Sequence, residues 1–135
     1  MVARSAWTQT FPCEWASIRL ARQFVRGALG SPTAVPDDVV SDVELAVSEL
    51  TTNGIRHGSG DPVRVDLQLD PHRVTMSVTS VLPSGHHDDP AGWGLTGPSG
   101  GVGHGIGIVR AVSTDLACHV AGRSMSASCR FPIEQ

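Results

Sequence analysis

The spacing of apolar residues in the first half of the chain predicts two amphipathic helices. Apolar residues recur every three or four positions in 15–29 and again in 39–50, as expected when one face of a helix packs on a core. Gly30 is expected to end the first helix, because glycine readily adopts the conformations that terminate helices. Pro36 is expected to open the second helix, which is predicted to run to about His57.

Alternation of apolar and polar residues predicts strands in other parts of the chain. Segments 63–69 and 74–78 alternate and are separated by turn-forming residues, which predicts an antiparallel hairpin. A second hairpin is predicted from segments 116–121 and 125–131, again with a turn between them. A short edge strand is predicted at 6–12, where weak alternation ends at a proline.

Between the hairpins lie a long loop and a short helix. Residues from about 82 to 103 are polar and rich in glycine and proline, and a loop of this length in a small domain is typical of a lid or binding loop. Ile106, Val109 and Val112 predict a short helix. The order of elements predicts one α+β domain over residues 1–135, a two-layer sandwich with three helices on one face of a mainly antiparallel, mixed sheet.

Composition narrows the range of functions. The net charge of −3 provides no basic surface, so no nucleic-acid partner is expected. All ten basic residues are arginine, which excludes a P-loop lysine, a Schiff base and a lysine general base. Three cysteines without a C-x-x-C pair, no signal peptide and no apolar run of membrane length favour a soluble, cytoplasmic protein with reduced thiols and no membrane partner.

Two polar residues on the second predicted helix are candidates for chemistry. Glu49 and Asn53 are four positions apart, so their side chains are neighbours on the helix surface, and both are expected to lie outside the apolar stripe. A carboxylate beside an amide oxygen can orient a hydroxyl group and hold a hard metal ion. The simpler alternative is a pair of solvated side chains near the end of a helix.

A glycine-rich run before the third predicted helix is a candidate anion site. Glycines at 101, 103, 105 and 107 allow a ligand to approach the backbone closely, and amide groups at a helix N-terminus attract phosphate. The spacing matches neither the dinucleotide-binding motif nor a P-loop. His104, between two of these glycines, is expected either to contact a phosphate or to face solvent.

Together, the two stretches resemble the GHKL ATP-binding superfamily, which joins gyrase, heat-shock chaperone ATPases, histidine kinases and mismatch-repair ATPases. The resemblance rests on Glu-x-x-x-Asn in one helix, then a hairpin, a glycine-rich lid, and Gly-x-Gly-Ile-Gly-Ile-Val leading into a helix. Within the superfamily, segments 21–25 and 46–58 are most similar to the single-domain bacterial anti-sigma factor serine kinases. The similarity covers nearly the whole chain in the same order.

The resemblance implies ligands and partners. It implies that the chain binds ATP and Mg²⁺ and phosphorylates a serine of an anti-anti-sigma protein. The unphosphorylated antagonist would compete with a sigma factor for this chain, so that transcription is regulated by partner switching. Relatives of this kind commonly act as dimers, and a homodimer is therefore compatible with the resemblance.

The resemblance also implies roles for individual residues. Asn53 would hold Mg²⁺, Glu49 would orient or deprotonate the serine hydroxyl, and glycine amides would bind the phosphates. The remaining implied nucleotide-binding residues are His57, Gly103, His104, Gly105, Ile106, Gly107 and Ser124. For His57, the alternative is a cap at the C-terminus of the second helix.

Two positions depart from the pattern of this family. Ser80 aligns with the aspartate that accepts a hydrogen bond from the adenine amine, and a neutral hydroxyl makes a weaker bond than a carboxylate. Gly54 replaces the alanine that usually follows the asparagine. The sequence therefore leaves two functions open. The first is a kinase with anti-sigma activity, and the second is a binding module of the same fold that sequesters a protein partner without efficient nucleotide use. A small α+β domain of unrelated role is the remaining alternative.

Overall fold

The computed structural model of the chain describes residues 4–30, 35–84 and 104–133, which form five strands and three helices. In order, they are β1 (Ser5–Phe11), α1 (Ala16–Leu29), α2 (Asp37–His57), β2 (Val63–Leu69), β3 (Arg73–Val81), α3 (His104–Val112), β4 (Thr114–Ala121) and β5 (Ser124–Pro132). All the predicted helices and both predicted hairpins are present. Most of the predicted lid, residues 85–103, lies outside the described residues.

The described strands form one sheet in the order β1-β2-β3-β5-β4, and each neighbouring pair is antiparallel. β1 is an edge strand, as the sequence predicts. β3 and β5 pair along their full lengths at the centre of the sheet, from Arg73 opposite Pro132 to Val81 opposite Ser124. The predicted α+β sandwich is therefore confirmed.

Helices cover one face of the sheet, which explains the alternation of the central strands. In β2, the residues at 63, 65, 67 and 69 are at most 2% exposed, whereas those between them are exposed or half-buried. Val43, Ala46 and Val47 of α2 are fully buried and belong to the same core as these strand residues. Among the described residues, no helix is both long enough and apolar enough to cross a membrane.

The buried face of α1 differs from the predicted stripe at its start. Trp15, expected to be the first apolar residue of that stripe, is 61% exposed because it precedes the helix. Ser17 is buried instead, and its hydroxyl donates a hydrogen bond of 2.6 Å to the carbonyl oxygen of Pro12. A polar residue can occupy this buried position because its hydrogen bond is satisfied locally.

The buried face of α2 also differs from the predicted stripe. Val40 is buried, whereas Val39 is only half-buried. The buried face continues beyond Leu50 to Asn53, which is 6% exposed, and to Gly54. The expectation that Asn53 lies outside the buried stripe is therefore wrong, because the last turns of α2 pack against the sheet.

Cys129 of β5 gives a prediction that concerns stability. Its side chain is 1% exposed, and burial raises the pKa of its thiol to about 12 from an ordinary value of 9.0. As the pH rises, the unfolded chain releases this proton before the folded chain does. We therefore expect the free energy of unfolding to fall between about pH 9 and pH 12. The chain has neither lysine nor tyrosine, so few other groups titrate in this window.

Urea unfolding at about pH 8 and about pH 11 would measure this effect. The variant Cys129→Ala lacks the buried thiol and should lose less stability over the same interval than the wild type does. An equal loss in both proteins would show that Cys129 is not responsible.

Candidate functional site

Glu49 of α2 lies against the start of α3, so the fold brings together the two stretches singled out in the sequence. A Cβ atom added at Gly105 would lie 2.5 Å from Oε2 of Glu49 and 3.4 Å from its Cδ. A side chain at position 105 would therefore displace the carboxylate. Gly105 is in the first turn of α3, where the positive end of the helix dipole attracts negative charge.

Asn53 lies one turn after Glu49 and is buried with an unsatisfied group. Within the described part of the chain, its Nδ2 atom has no hydrogen-bond partner. Buried polar groups in proteins are nearly always paired, and leaving one unpaired costs about 1–3 kcal/mol. A bound ligand that supplies the missing hydrogen-bond partner would explain why α2 carries this amide at a buried position.

A narrow cavity lies next to Asn53, between the helix layer and the sheet. It is lined by Leu50, Asn53, Gly54, Val78, Ser80, Ile106, Met125 and Ala127. Ser80 is 3% exposed and, with Asn53, supplies the polar side chains of an otherwise apolar wall. The cavity has room for about one water molecule, so a larger group would require its walls to move apart.

The structure brings Glu49, Asn53, Ser80, Gly105 and Ile106 to this region, although they come from α2, β3 and α3. The described residues contain no group of three or more His, Cys, Asp or Glu side chains that could hold a metal ion. This arrangement is compatible with Mg²⁺, which often takes one or two protein ligands and completes its shell with phosphate oxygens and water.

Ser124 does not join this group. It is exposed at the start of β5, opposite Val81, and does not line the cavity. The neighbouring residue Met125 is 5% exposed and lines the cavity instead, together with Ala127. The sequence contained a signal for this, because the alternation of β5 places Met125 on the buried face and Ser124 on the opposite one.

The remaining predicted site residues lie at the end of α2, within α3 or outside the described part of the structure. His57 is the last residue of α2, is half-buried and does not line the cavity. Gly107 is exposed within α3. His104 is the first residue of α3, and its side chain lies outside the described part of the structure, as does the whole of Gly103.

Comparison with known proteins identifies the family. Residues 11–127 match the sequence model of the histidine kinase-like ATPase domain. No curated protein matches the sequence. The crystal structure of the RsbU and RsbW domains of Rv1364c from Mycobacterium tuberculosis is similar, with a TM-score of 0.73 and 16% identity. The match covers 97% of this chain and 33% of the chain in that structure.

At this level of identity, the structural similarity establishes the fold, and the sequence match establishes the family. Helix α2, with Glu49 and Asn53, and the glycine-rich start of α3 both lie within the matched residues. The resemblance to a histidine kinase-like ATP-binding domain is thereby confirmed, and the chain belongs to the histidine kinase-like ATPase domain family.

Proposed function

We propose that the chain is an ATP- and Mg²⁺-binding serine kinase and anti-sigma factor that regulates transcription by partner switching with an anti-anti-sigma protein. Membership of the histidine kinase-like ATPase family supports nucleotide binding. The resemblance of segments 21–25 and 46–58 to anti-sigma factor kinases supports the assignment of a serine as the phosphoryl acceptor. The proposal includes a cytoplasmic location and is compatible with a homodimer.

The contact between Glu49 and Gly105 is the observation that carries this proposal. A carboxylate at the start of α3 would repel the phosphates of a nucleotide bound there and so weaken its binding. A role in the reaction would explain why it is present at this position. A base that accepts the proton of an attacking hydroxyl is such a role. Asn53 lies one turn away and is buried, and its Nδ2 atom has no hydrogen-bond partner among the described residues. A bound ligand would supply that partner.

Bound ATP with Mg²⁺ would supply the phosphoryl group. The amide oxygen of Asn53 would hold the metal ion, and the Glu49 carboxylate would orient the serine hydroxyl and accept its proton. The backbone amides of Gly103, Gly105 and Gly107 would bind phosphate oxygens. The further proposed nucleotide contacts are His57, Ser80, His104, Ile106 and Ser124, of which Ser80 and Ile106 line the cavity.

Transfer of a labelled γ-phosphoryl group tests this function. The chain would be incubated with labelled ATP, Mg²⁺ and each anti-anti-sigma protein encoded by the same genome. We expect label on a serine of at least one of these proteins, and no label when the metal ion is chelated. If ATP binds but no protein becomes labelled, the kinase assignment is wrong.

A second function is favoured by the walls of the cavity. Ser80 is neutral and the cavity has room for about one water molecule, which suits a module that holds a protein partner without using nucleotide. Calorimetric titration with ATP and Mg²⁺ separates the two functions. Micromolar binding would reject the non-catalytic module, and an absence of heat at millimolar nucleotide would support it.

A further inference from the structure

The side chains that line the cavity limit the kind of group it can hold. Six of the eight lining residues are apolar or glycine, and no charged side chain of the described residues is among them. The polar contributions are the unpartnered Nδ2 of Asn53 and the buried hydroxyl of Ser80. Apolar walls with a few polar groups suit the edge of a flat heteroaromatic ring with polar atoms along it. Such a ring would enter only as the walls move apart, because the cavity now has room for about one water molecule.

We propose that Ser80 relaxes the selection of the base, so that this site accepts purine nucleoside triphosphates with either an amino or an oxo group at position 6. The inference rests on the proposed nucleotide function and specifies its substrate class. The contribution of Ser80 follows from its position on β3, where it is 3% exposed and faces α2.

The reason is the hydrogen-bonding capacity of a hydroxyl group, which can donate one bond and accept another. Beside adenine, it can accept from the 6-amino group and donate to N1. Beside hypoxanthine, it can accept from N1–H and donate to the 6-oxo group. An ionised carboxylate only accepts, so it would meet the 6-oxo group with repulsion between lone pairs and leave that oxygen unsatisfied.

Gly54 of α2 lies directly beside Ser80 of β3. A Cβ atom added at Gly54 would lie 3.4 Å from Cβ of Ser80 and 3.7 Å from its Oγ. Both distances are ordinary van der Waals contacts, so position 54 forms part of the surroundings of the Ser80 hydroxyl. The two departures from the family pattern therefore lie side by side in the wall of the cavity.

Calorimetric titrations with Mg–ATP and Mg–inosine triphosphate test the inference, because these nucleotides differ only at position 6 and at the adjacent N1. We expect dissociation constants within about threefold of each other for the wild type, since the hydroxyl satisfies both bases. Ser80→Ala should weaken both nucleotides alike, by about 3- to 10-fold. Ser80→Asp should favour ATP by more than about 10-fold.

Ser128→Asp is the matched control. It introduces the same side chain at a half-buried position of β5, on the face of the sheet away from the helices, and should leave the ratio unchanged. A wild-type preference for ATP above about 10-fold would overturn the inference while leaving the proposed nucleotide function intact. Equal affinities that do not change in Ser80→Ala would also overturn it, because the base would then not contact Ser80. Absence of binding by either nucleotide would overturn both proposals.

Discussion

Replacement of Glu49 by glutamine is expected to slow phosphoryl transfer to the partner serine by about 10²- to 10⁴-fold, the usual contribution of a general base. Glutamine has the same length as glutamate and would fit the space that Gly105 leaves open. Its amide cannot accept the hydroxyl proton, so the chemical step is impaired while the fold is kept. Nucleotide affinity should stay the same or increase, because a negative charge near the phosphates is removed.

Single-turnover rates of label transfer, with calorimetric titration of ATP in parallel, would measure the two effects separately. The matched control is Asp42→Asn, which removes the same charge from the same helix two turns earlier. We expect the control to transfer label at the wild-type rate. A wild-type rate in Glu49→Gln, with ATP bound normally, would show that Glu49 is not the base.

Replacement of Asn53 by alanine should change binding and stability in opposite directions. Loss of the amide should weaken binding of Mg–ATP by about 10- to 100-fold, as expected for a hydrogen bond or ligand to a charged group. The free protein should gain about 1 kcal/mol in its free energy of unfolding. An unpartnered buried amide is removed from it, and alanine is also the better helix former.

Thr51→Val provides the control for this prediction. The Oγ1 atom of Thr51 is another buried polar atom on α2 without a partner in the described part of the chain, but Thr51 does not line the cavity. Its replacement should stabilise the fold without changing the dissociation constant of Mg–ATP. Urea unfolding and calorimetry on both variants would measure these effects. A clear loss of stability in Asn53→Ala would mean that this amide has a structural role.

The sequence predicted the elements of this fold because their boundaries are marked by strong local signals. Glycine and proline stand at the ends of α1 and α2, and strict alternation marks β2, β3 and β5. The spacing of Glu49 and Asn53 also sufficed to place them as neighbours on one helix. These signals depend on residues close in sequence, so no knowledge of tertiary packing was needed.

The positions that depend on packing between distant elements could not be predicted in the same way. No local pattern indicates that Glu49 contacts Gly105, because this contact depends on how α3 packs against α2. The local pattern of α2 also gives the wrong burial for Asn53. A polar residue outside the apolar stripe of a helix is expected to face solvent, but the sheet and α3 cover this end of α2. Ser124 was assigned to the nucleotide site from the family resemblance alone. The alternation within β5 instead indicates that Met125 faces the cavity.

The central pairing of β3 with β5 has a consequence for the kinetics of folding. Arg73 pairs with Pro132 and Val81 with Ser124, so the middle of the sheet joins segments that are far apart in the chain. Such long-range contacts slow folding, because closing the long intervening loop costs conformational entropy before the contacts can stabilise the fold. The hairpin of β2 and β3 can form during synthesis before β5 has left the ribosome. The cavity, with Ser80 on one of these strands and Met125 on the other, is therefore expected to assemble only after β3 and β5 have paired.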